Sequence, residues 1–455
     1  MQVFNRHLSA RGLTVFGLET LLIAGSLVLA ASVHGSRDSA SVGVGHIVLI
    51  TALFTLCFYY NELYDLTRVH SKSELFVRFL QATGATAIIL AILTAMFPSL
   101  TIGGSIFLTS LGLLLVALPS VRLGLVRLTG DSHLEERVLI LGTGLRARAL
   151  AQQIWSQHEF AYRVVGFVDE VKTAHPSDDP MVIGSRSDLN RIVQQQRIDR
   201  IVVSLSDRRG SLPVEDLLQA KLSGVRVEDA ATMYERITGK ILIDDIKPSW
   251  LIFSDGFRAS RLTRAIKRGF DIFVASVGLV LAAPLMALTA LAVRLESRGP
   301  ILYCQERVGK DARPFTLCKF RSMRVDAEQG TPVWAKDKDD RVTRVGRFIR
   351  LTRLDELPQL WNVLRGDMSC VGPRPERPFF VQQLAAEIPF YNTRHVVRPG
   401  VTGWAQVKYR YGSSVEDAAE KLRYDLYYIK HQSLVFDVTI LLDTVKVVLF
   451  RMGAK

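Results

Sequence analysis

Apolar and polar positions alternate in four different ways along the chain, and each pattern predicts a different kind of element. Up to about residue 130 the apolar positions run almost unbroken, near 12–33, 45–60, 76–97 and 102–120. Each run approaches or reaches the ~20 residues that a membrane-crossing helix needs. Tyr59 and Tyr60 end the shortest run, where aromatic residues suit a membrane interface. Arg6 and Arg11 precede the first run, Arg68 and Lys72 separate the second from the third, and Arg122 and Arg127 follow the fourth. The other two loops hold only Arg37. That asymmetry predicts a four-helix bundle with both ends on the cytoplasmic side. Arg78 is read as the one charge deep in a run, so nothing indicates a transport path.

Between 131 and 256 the pattern becomes short apolar strands separated by helical stretches. Val138–Leu141 runs into Gly142-Thr143-Gly144-Leu145-Arg146-Ala147 and then a helix through Ile154. A second strand, Val164–Val168, ends at Asp169. Strand, glycine turn and helix in that order form a dinucleotide fingerprint, and an acid after the second strand is where such folds hold a ribose. Further strands near 182–183, 201–204 and 225–228 and helices near 187–196 and 214–223 complete a Rossmann-like α/β domain. Fold alone does not give ligand, so Gly142, Gly144 and Asp169 are candidates for nucleotide binding in what is as readily a nucleotide-free scaffold.

The third pattern is one long uncharged run, Ile272–Val293. Pro284 lies near its middle, where proline removes a helical hydrogen bond. Arg261, Arg264, Lys267 and Arg268 stand before the run, and Arg294 and Arg298 after it. Basic residues at both ends predict that both stay on the cytoplasmic side, so residues 257–300 read as a broken, re-entrant membrane helix rather than a fifth span. Lys267, Arg268 and Asp271 then stand at the membrane entry, as lipid anchors or as the place where a lipid phosphate is received.

From 301 onward apolar and charged positions mix as in an enzyme domain. The run Asp355-Glu356-Leu357-Pro358-Gln359-Leu360-Trp361 predicts a helix starting near Asp355, with Pro358 in its first turn and Gly366 as its terminator. Two adjacent acids at the positive end of a helix favour ionisation and diverge by about 100°, so one can attack while the other holds a metal. Gly372-Pro373-Arg374-Pro375 fixes an arginine between two prolines, a stiff mount for a phosphate-binding fork. Residues 330–341 are polar and read as a loop. Residues 434–450 form an apolar helix broken by Asp437, Asp443 and Lys446, which lies on a membrane surface or packs on the domain.

Composition sharpens this picture. Of 455 residues, 48% are hydrophobic, which is high for a soluble enzyme, and the net charge of +13 points to anionic partners. Cys57, Cys304, Cys318 and Cys370 form no C-x-x-C pair, so neither a zinc site nor a disulfide is expected and a reducing compartment fits. No tyrosine is followed four residues later by lysine. A membrane-anchored, NAD-dependent nucleotide-sugar enzyme would use that Tyr-x-x-x-Lys pair, so its absence weighs against such chemistry. A non-enzymatic scaffold for polysaccharide assembly stays as the alternative.

Four ordered motifs, Lys319-Phe320-Arg321-Ser322-Met323, Asp355-Glu356-Leu357-Pro358-Gln359-Leu360-Trp361-Asn362-Val363, Gly372-Pro373-Arg374-Pro375 and Arg398-Pro399-Gly400-Val401-Thr402-Gly403-Trp404, resemble the core of the bacterial polyprenyl-phosphate hexose-1-phosphate transferases. The resemblance is close over 262–455. It implies an enzyme that moves a sugar 1-phosphate from a UDP-sugar to undecaprenyl phosphate, with membrane lipid as a partner and no nucleic acid; a homodimer through the bundle or the Rossmann-like domain is the expected assembly. It also implies Asp355 as nucleophile, Glu356 as ligand of Mg²⁺, and Lys319, Arg321, Arg374 and Arg307 as phosphate binders. Lys267, Arg268, Asp271 and Pro284 would form the entry for the polyprenyl phosphate. The expected architecture is a membrane protein of α plus α/β class: a transmembrane bundle (1–130), a Rossmann-like domain (131–256), a re-entrant helix (257–300) and a cytoplasmic α/β catalytic domain (301–455). The whole would sit in the bacterial inner membrane with its catalytic domain facing the cytoplasm.

Overall fold

The structure is a computed structural model that describes residues 10–34, 42–60, 63, 72–129, 136–156, 162–169, 181–205, 212–243, 256–257, 260–325, 327, 340–409, 412 and 414–449. Arg6, Arg37 and Arg68, and nearly all of the 330–341 loop, lie outside the described residues, as do the side chains of Arg11, Lys72, Arg78, Arg122 and Arg127. The chain folds as two compact units that divide between Met233 and Tyr234.

The first unit opens with α1 (Ala10–His34), α2 (Val44–Tyr60), α3 (Lys72–Met96) and α4 (Gly104–Thr129). All four contribute to one core, with Ile23 and Leu27, Phe54 and Phe58, Phe79 and Leu90, and Leu114 and Leu118 buried together. Their outer faces expose Leu21, Val28, Val48, Ile88, Ile92, Leu108 and Val116. An apolar surface all around such a bundle is what a lipid environment tolerates and water does not. α1, α3 and α4 are long and apolar enough to cross a membrane, while α2 has 17 residues. One expectation fails here. Glu19 sits on α1 with 1% exposure, so Arg78 is not the one charged residue within an apolar run.

The Rossmann-like domain follows: β1 (Glu136–Leu141), α5 (Leu145–Ser156), β2 (Tyr162–Asp169), β3 (Val182–Ser185), α6 (Leu189–Gln195), β4 (Arg200–Val203), α7 (Val214–Leu222) and β5 (Arg226–Asp229). The strands form a parallel sheet in the order β3-β2-β1-β4-β5, so the chain reverses direction across the sheet between β1 and β4. Gly142 turns out of β1 at φ +117°, and a Cβ there would lie 2.5 Å from the Ser204 carbonyl oxygen, so only glycine fits. Toward the opposite ends of the strands, buried Arg200 donates to Glu136 (2.6 Å) and to Glu228 (2.6 Å), tying β4 to its neighbours β1 and β5.

The division of the chain falls inside α8 (Ala230–Thr238). The pattern of alternation extends the Rossmann-like domain to 256, but Ile241 and Ile243 are buried in the core of the second unit. Glu235 pairs with Lys430 at 2.7 Å, and Lys240 pairs with Glu420 at 2.5 Å.

The second unit is organised around α9 (Arg261–Glu296), 36 residues and so about 54 Å if straight. Ser260 caps it, accepting from the Thr263 N–H at 3.0 Å. The helix does not break at Pro284; it runs through the proline, which is compatible with a single missing backbone bond to the Val280 carbonyl. Its outward face exposes Phe273, Val280, Leu281, Leu288, Leu291 and Leu295. Both ends are held by the same domain. At the first end, Arg268 donates to the carbonyls of Val363 (2.6 Å) and Leu364 (2.8 Å), and Asp271 accepts from Ser369 and from the Cys370 N–H, each at 3.0 Å. At the second end Val293 packs with Phe320 and Ile349, and Glu296 accepts from the Val345 N–H at 3.1 Å.

The remaining elements are β6 (Leu302–Val308), β7 (Pro314–Phe320), α10 (Arg344–Leu351), α11 (Gln359–Arg365), β8 (Ser369–Val371), α12 (Pro378–Glu387), β9 (Gly400–Thr402), α13 (Trp404–Lys408), α14 (Val415–Lys430) and α15 (Leu434–Leu449). The expected α/β domain is thus mainly helical, with one antiparallel hairpin, β6–β7, and one short parallel pair, β8–β9. The hairpin register sets Cys304 opposite Cys318, and the two form a disulfide, which the linear spacing of cysteines gave no reason to expect. Cys57 and Cys370 are buried thiols outside this disulfide. α15 packs on the domain through Phe436, Asp437 and Ile440.

Candidate active site

Asp355 and Glu356 sit on a turn rather than inside a regular helix. α10 ends at Thr352, Arg353 takes a left-handed conformation (φ 58°), and Leu354–Glu356 form one 3-10 turn. α11 then runs to Gly366, which stops it at φ +96° with its N–H bonded to the carbonyls of Asn362 and Val363. The expected terminator is therefore in place, while the helix starts at Gln359, four residues after Asp355. The turn directs Asp355 inward, where it is 6% exposed.

α11 also positions the neighbouring strand. Asn362 donates to the Thr316 carbonyl (2.8 Å) and accepts from the Cys318 N–H (3.4 Å), tying β7 alongside. This brings Lys319 near Asp355, and the Lys319 ammonium lies 5.6 Å from the Tyr303 ring on β6. From the other side, Arg374 donates to Glu356 at 2.8 Å, with Arg353 3.5 Å from the same oxygen. Arg350, on the last turn of α10, adds a further charge near Asp355 and is held by Ser322 at 2.8 Å.

Burial sets the electrostatics. It pushes the Asp355 carboxyl up, the charge of Glu356 pushes it further, and Lys319, Arg350 and Arg374 offset only part, leaving it at about 6. Burial also raises Glu356, but Arg374 and Arg353 outweigh it and hold that carboxyl below its ordinary value. Lys319 is pushed down to about 8 by burial, against the pull of Asp355, with Arg307, Arg350 and Arg374 adding to the depression. Two adjacent acids thus differ in character, the usual arrangement when they have separate tasks. The Oδ1 atom of Asp355 is buried and has no hydrogen-bond partner among the described residues.

The donor set fits a magnesium ion. Among the described residues no group of three or more His, Cys, Asp or Glu could hold a metal by itself. Mg²⁺ is typically held by one or two carboxylates and completed by substrate phosphates and water. Glu356, kept ionised by its arginines, and the unpartnered Asp355 oxygen supply such carboxylates.

The other expected residues divide. Arg307 joins this group, bonded to Gln305 (2.9 Å) and to the Pro375 carbonyl (3.1 Å), with Arg374 and Arg377 close enough to act on its charge. Arg321 does not. It is buried, donating to Ser297 (2.8 Å) and the Arg298 carbonyl (3.1 Å), where it clamps the end of α9. Lys319 and Arg321 would share a face on a continuing strand, but β7 ends at Phe320. Lys267 and Arg268 are likewise engaged inside the protein. Lys267 pairs with Asp437 at 2.6 Å, and Arg268 caps α11. Asp271 is enclosed by Ser369 and Cys370, and Pro284 is exposed on α9. In the first unit, Gly142 and Asp169 flank a Thr143-to-Asp169 hydrogen bond of 3.4 Å, and Gly144 precedes α5.

The Arg398–Trp404 stretch is a support for the site. The Gly372 N–H donates to Thr402 and the Gly400 N–H to Pro373, each at 2.9 Å, and a Cβ on either glycine would collide with the opposing backbone. Buried Trp404 donates to the Gly239 carbonyl at 2.8 Å.

Known proteins resemble this chain in sequence. The bacterial sugar transferase family matches residues 262–451, and a CoA-binding domain family matches 60–219. A UDP-N-acetylgalactosamine-undecaprenyl-phosphate N-acetylgalactosaminephosphotransferase of Aeromonas hydrophila is 44% identical over 260 residues, 57% of this chain and 61% of the relative. An undecaprenyl-phosphate glucose phosphotransferase of Komagataeibacter xylinus is 36% identical over 72% of this chain and 61% of the relative. A UDP-glucose:undecaprenyl-phosphate glucose-1-phosphate transferase of Escherichia coli is 32% identical over 74% of this chain and 73% of the relative. The chain thus matches about three fifths of the length of the first two.

Proposed function

This chain belongs to the bacterial sugar transferase family, and from that premise we propose that it transfers a sugar 1-phosphate from a UDP-sugar to undecaprenyl phosphate, releasing UMP. The observation that carries this reading is the buried Asp355, its Oδ1 unpartnered and its surroundings lined by Lys319, Arg350 and Arg374. A buried, ionisable oxygen among cations is placed to attack a phosphorus whose own oxygens those cations bind.

In the first step the Asp355 oxygen forms a bond to the sugar-bearing phosphorus, and the bond from that phosphorus to the bridging oxygen breaks. The electron pair leaves with UMP. Arg374 and Lys319 hold the phosphate oxygens, and Arg307 extends the cationic surface toward the leaving nucleotide. Glu356, with Asp355 beside it, would hold Mg²⁺, which when bound offsets diphosphate charge. In the second step an oxygen of undecaprenyl phosphate attacks the phosphosugar and frees Asp355. The product carries the sugar on a lipid diphosphate, the first membrane step of an exopolysaccharide or O-antigen.

Membrane placement belongs to the same proposal. α9 exposes an apolar face, and one domain grips both of its ends, so the helix lies in one leaflet with both ends on the cytoplasmic face. Its continuity through Pro284 replaces the break that the sequence predicts. The assembly is a homodimer in the inner membrane, with the Rossmann-like domain as a scaffold.

The test incubates purified protein with Mg²⁺, undecaprenyl phosphate and each common UDP-hexose, and measures UMP release beside Asp355→Asn. Release with one donor, lost in the variant, is expected; equal release by the variant removes Asp355 as nucleophile.

A further inference from the structure

The arginine between the two prolines sits on a turn that cannot hold itself. Pro373 and Pro375 have no N–H, so the turn lacks two of its own backbone donors, and its carbonyls must be satisfied from elsewhere. The structure supplies three outside donors. The Gly400 N–H bonds to the Pro373 carbonyl at 2.9 Å, Arg307 to the Pro375 carbonyl at 3.1 Å, and Arg394 to the Arg374 carbonyl at 3.0 Å. The last contact is the unusual one. Arg394 is 6% exposed and lies in the 3-10 segment Tyr391–Val396. It is oriented by Asp425 on α14 (2.8 Å, 2% exposed) and by the Tyr391 hydroxyl (2.6 Å). A buried charge with this many fixed partners has one available geometry, and removing a partner is costly.

We propose that Arg394, oriented by Asp425 and Tyr391, is a positioning residue that fixes the backbone of Arg374 so that its guanidinium meets Glu356 and the donor diphosphate in one orientation. Arg394 touches neither acid and acts through Arg374. This inference rests on the functional reading above, in which Arg374 binds phosphate. It concerns residues outside the four motifs: Arg394 lies twenty residues after Arg374 and four before Arg398, and Asp425 lies fifty-one after Arg374.

The test separates positioning from simple stabilisation. In an Asp355→Asn background, which binds donor without turning it over, the dissociation constant is measured for the UDP-hexose that the wild type turns over fastest. Four proteins are compared: the background, and with Arg374→Ala, Arg394→Met, or both. Arg374→Ala is expected to weaken binding ~10-fold or more and Arg394→Met ~5-fold, while the double variant binds no worse than Arg374→Ala alone, since linked residues are non-additive. Two factors that multiply would overturn the proposal, as would unchanged binding in Arg394→Met or in Arg374→Ala. Circular dichroism checks that each variant is folded. Where Arg394→Met does not fold, Tyr391→Phe and Asp425→Asn run through the same cycle, and the same two results decide. Absence of UMP release by the wild type with every donor would instead remove the functional reading, before any variant is made.

Discussion

The two α/β-derived regions of this chain show opposite relations between regularity and chemistry. The Rossmann-like sheet is periodic, with five parallel strands, and its glycine turn sits at the classical crossover between β1 and β4. Its ion pairs of buried Arg200 with Glu136 and Glu228 lie away from that turn, where they fasten β4 to β1 and β5. The second unit has only short strand pairs, several 3-10 turns and the left-handed Arg353, yet it gathers two acids, one of them buried, and at least two cations around one point. Regular repetition satisfies every backbone group and leaves little to aim. Irregular turns are costly to hold and are found where a side chain has to point inward.

Four experiments would break or sharpen that contrast. Asp355→Asn changes one atom in the irregular unit and is expected to lower UMP release by more than about 10³-fold, which corresponds to ~4 kcal/mol of barrier. A loss under tenfold would dissolve the contrast. Glu356→Gln keeps the shape but removes a charge held by Arg374, and a loss of roughly 10²–10³-fold is expected. Chelation of Mg²⁺ by EDTA should reproduce that loss in the wild type and do little further in the variant, measured by the same UMP assay.

The pH dependence is the third. Asp355 must be ionised to attack, so the rate should rise with pH through about 6. Lys319 must be protonated to hold phosphate, so the rate should fall as pH passes about 8. A bell between those limits is expected, and Lys319→Arg, whose charge persists, should remove the alkaline limb. A flat profile from 5 to 9 would count against both assignments. The smallest catalytic effect belongs to the regular unit. Arg200→Met removes the buried cation that bridges Glu136 and Glu228 and is expected to cost about 3 kcal/mol of stability, seen in thermal denaturation. UMP release per folded molecule should change less than about twofold.

Much of this was legible because it depends on period or on fixed turn chemistry. The four apolar runs, the strand–turn–helix at Gly142 and the stop at Gly366 all obey local rules, and the structure places elements there. What local rules missed were long-range uses of charge. Arg321 is read as a phosphate binder because it lies in the same matched motif as Lys319, but the strand ends between them and Arg321 turns to Ser297. Lys267, Arg268 and Asp271 are read at a membrane entry, and tertiary packing instead employs them to lock α9 to α11, α15 and β8. Arg350 belongs to no motif; its one signal is that it stands one helical turn before the left-handed break that aims Asp355. The Cys304–Cys318 bond needed the hairpin register, which no spacing rule supplies.

The grip on both ends of α9 has a further consequence. On the proposed membrane placement, a helix pinned at two points cannot pivot, so the catalytic domain and its helix would drift together as one raft. The height of Asp355 above the lipid is then set by construction, with no swinging arm to cross the gap. Encounter with the carrier becomes a search in two dimensions, where the density of carriers per unit area, rather than their concentration in a volume, governs how often the second step can begin.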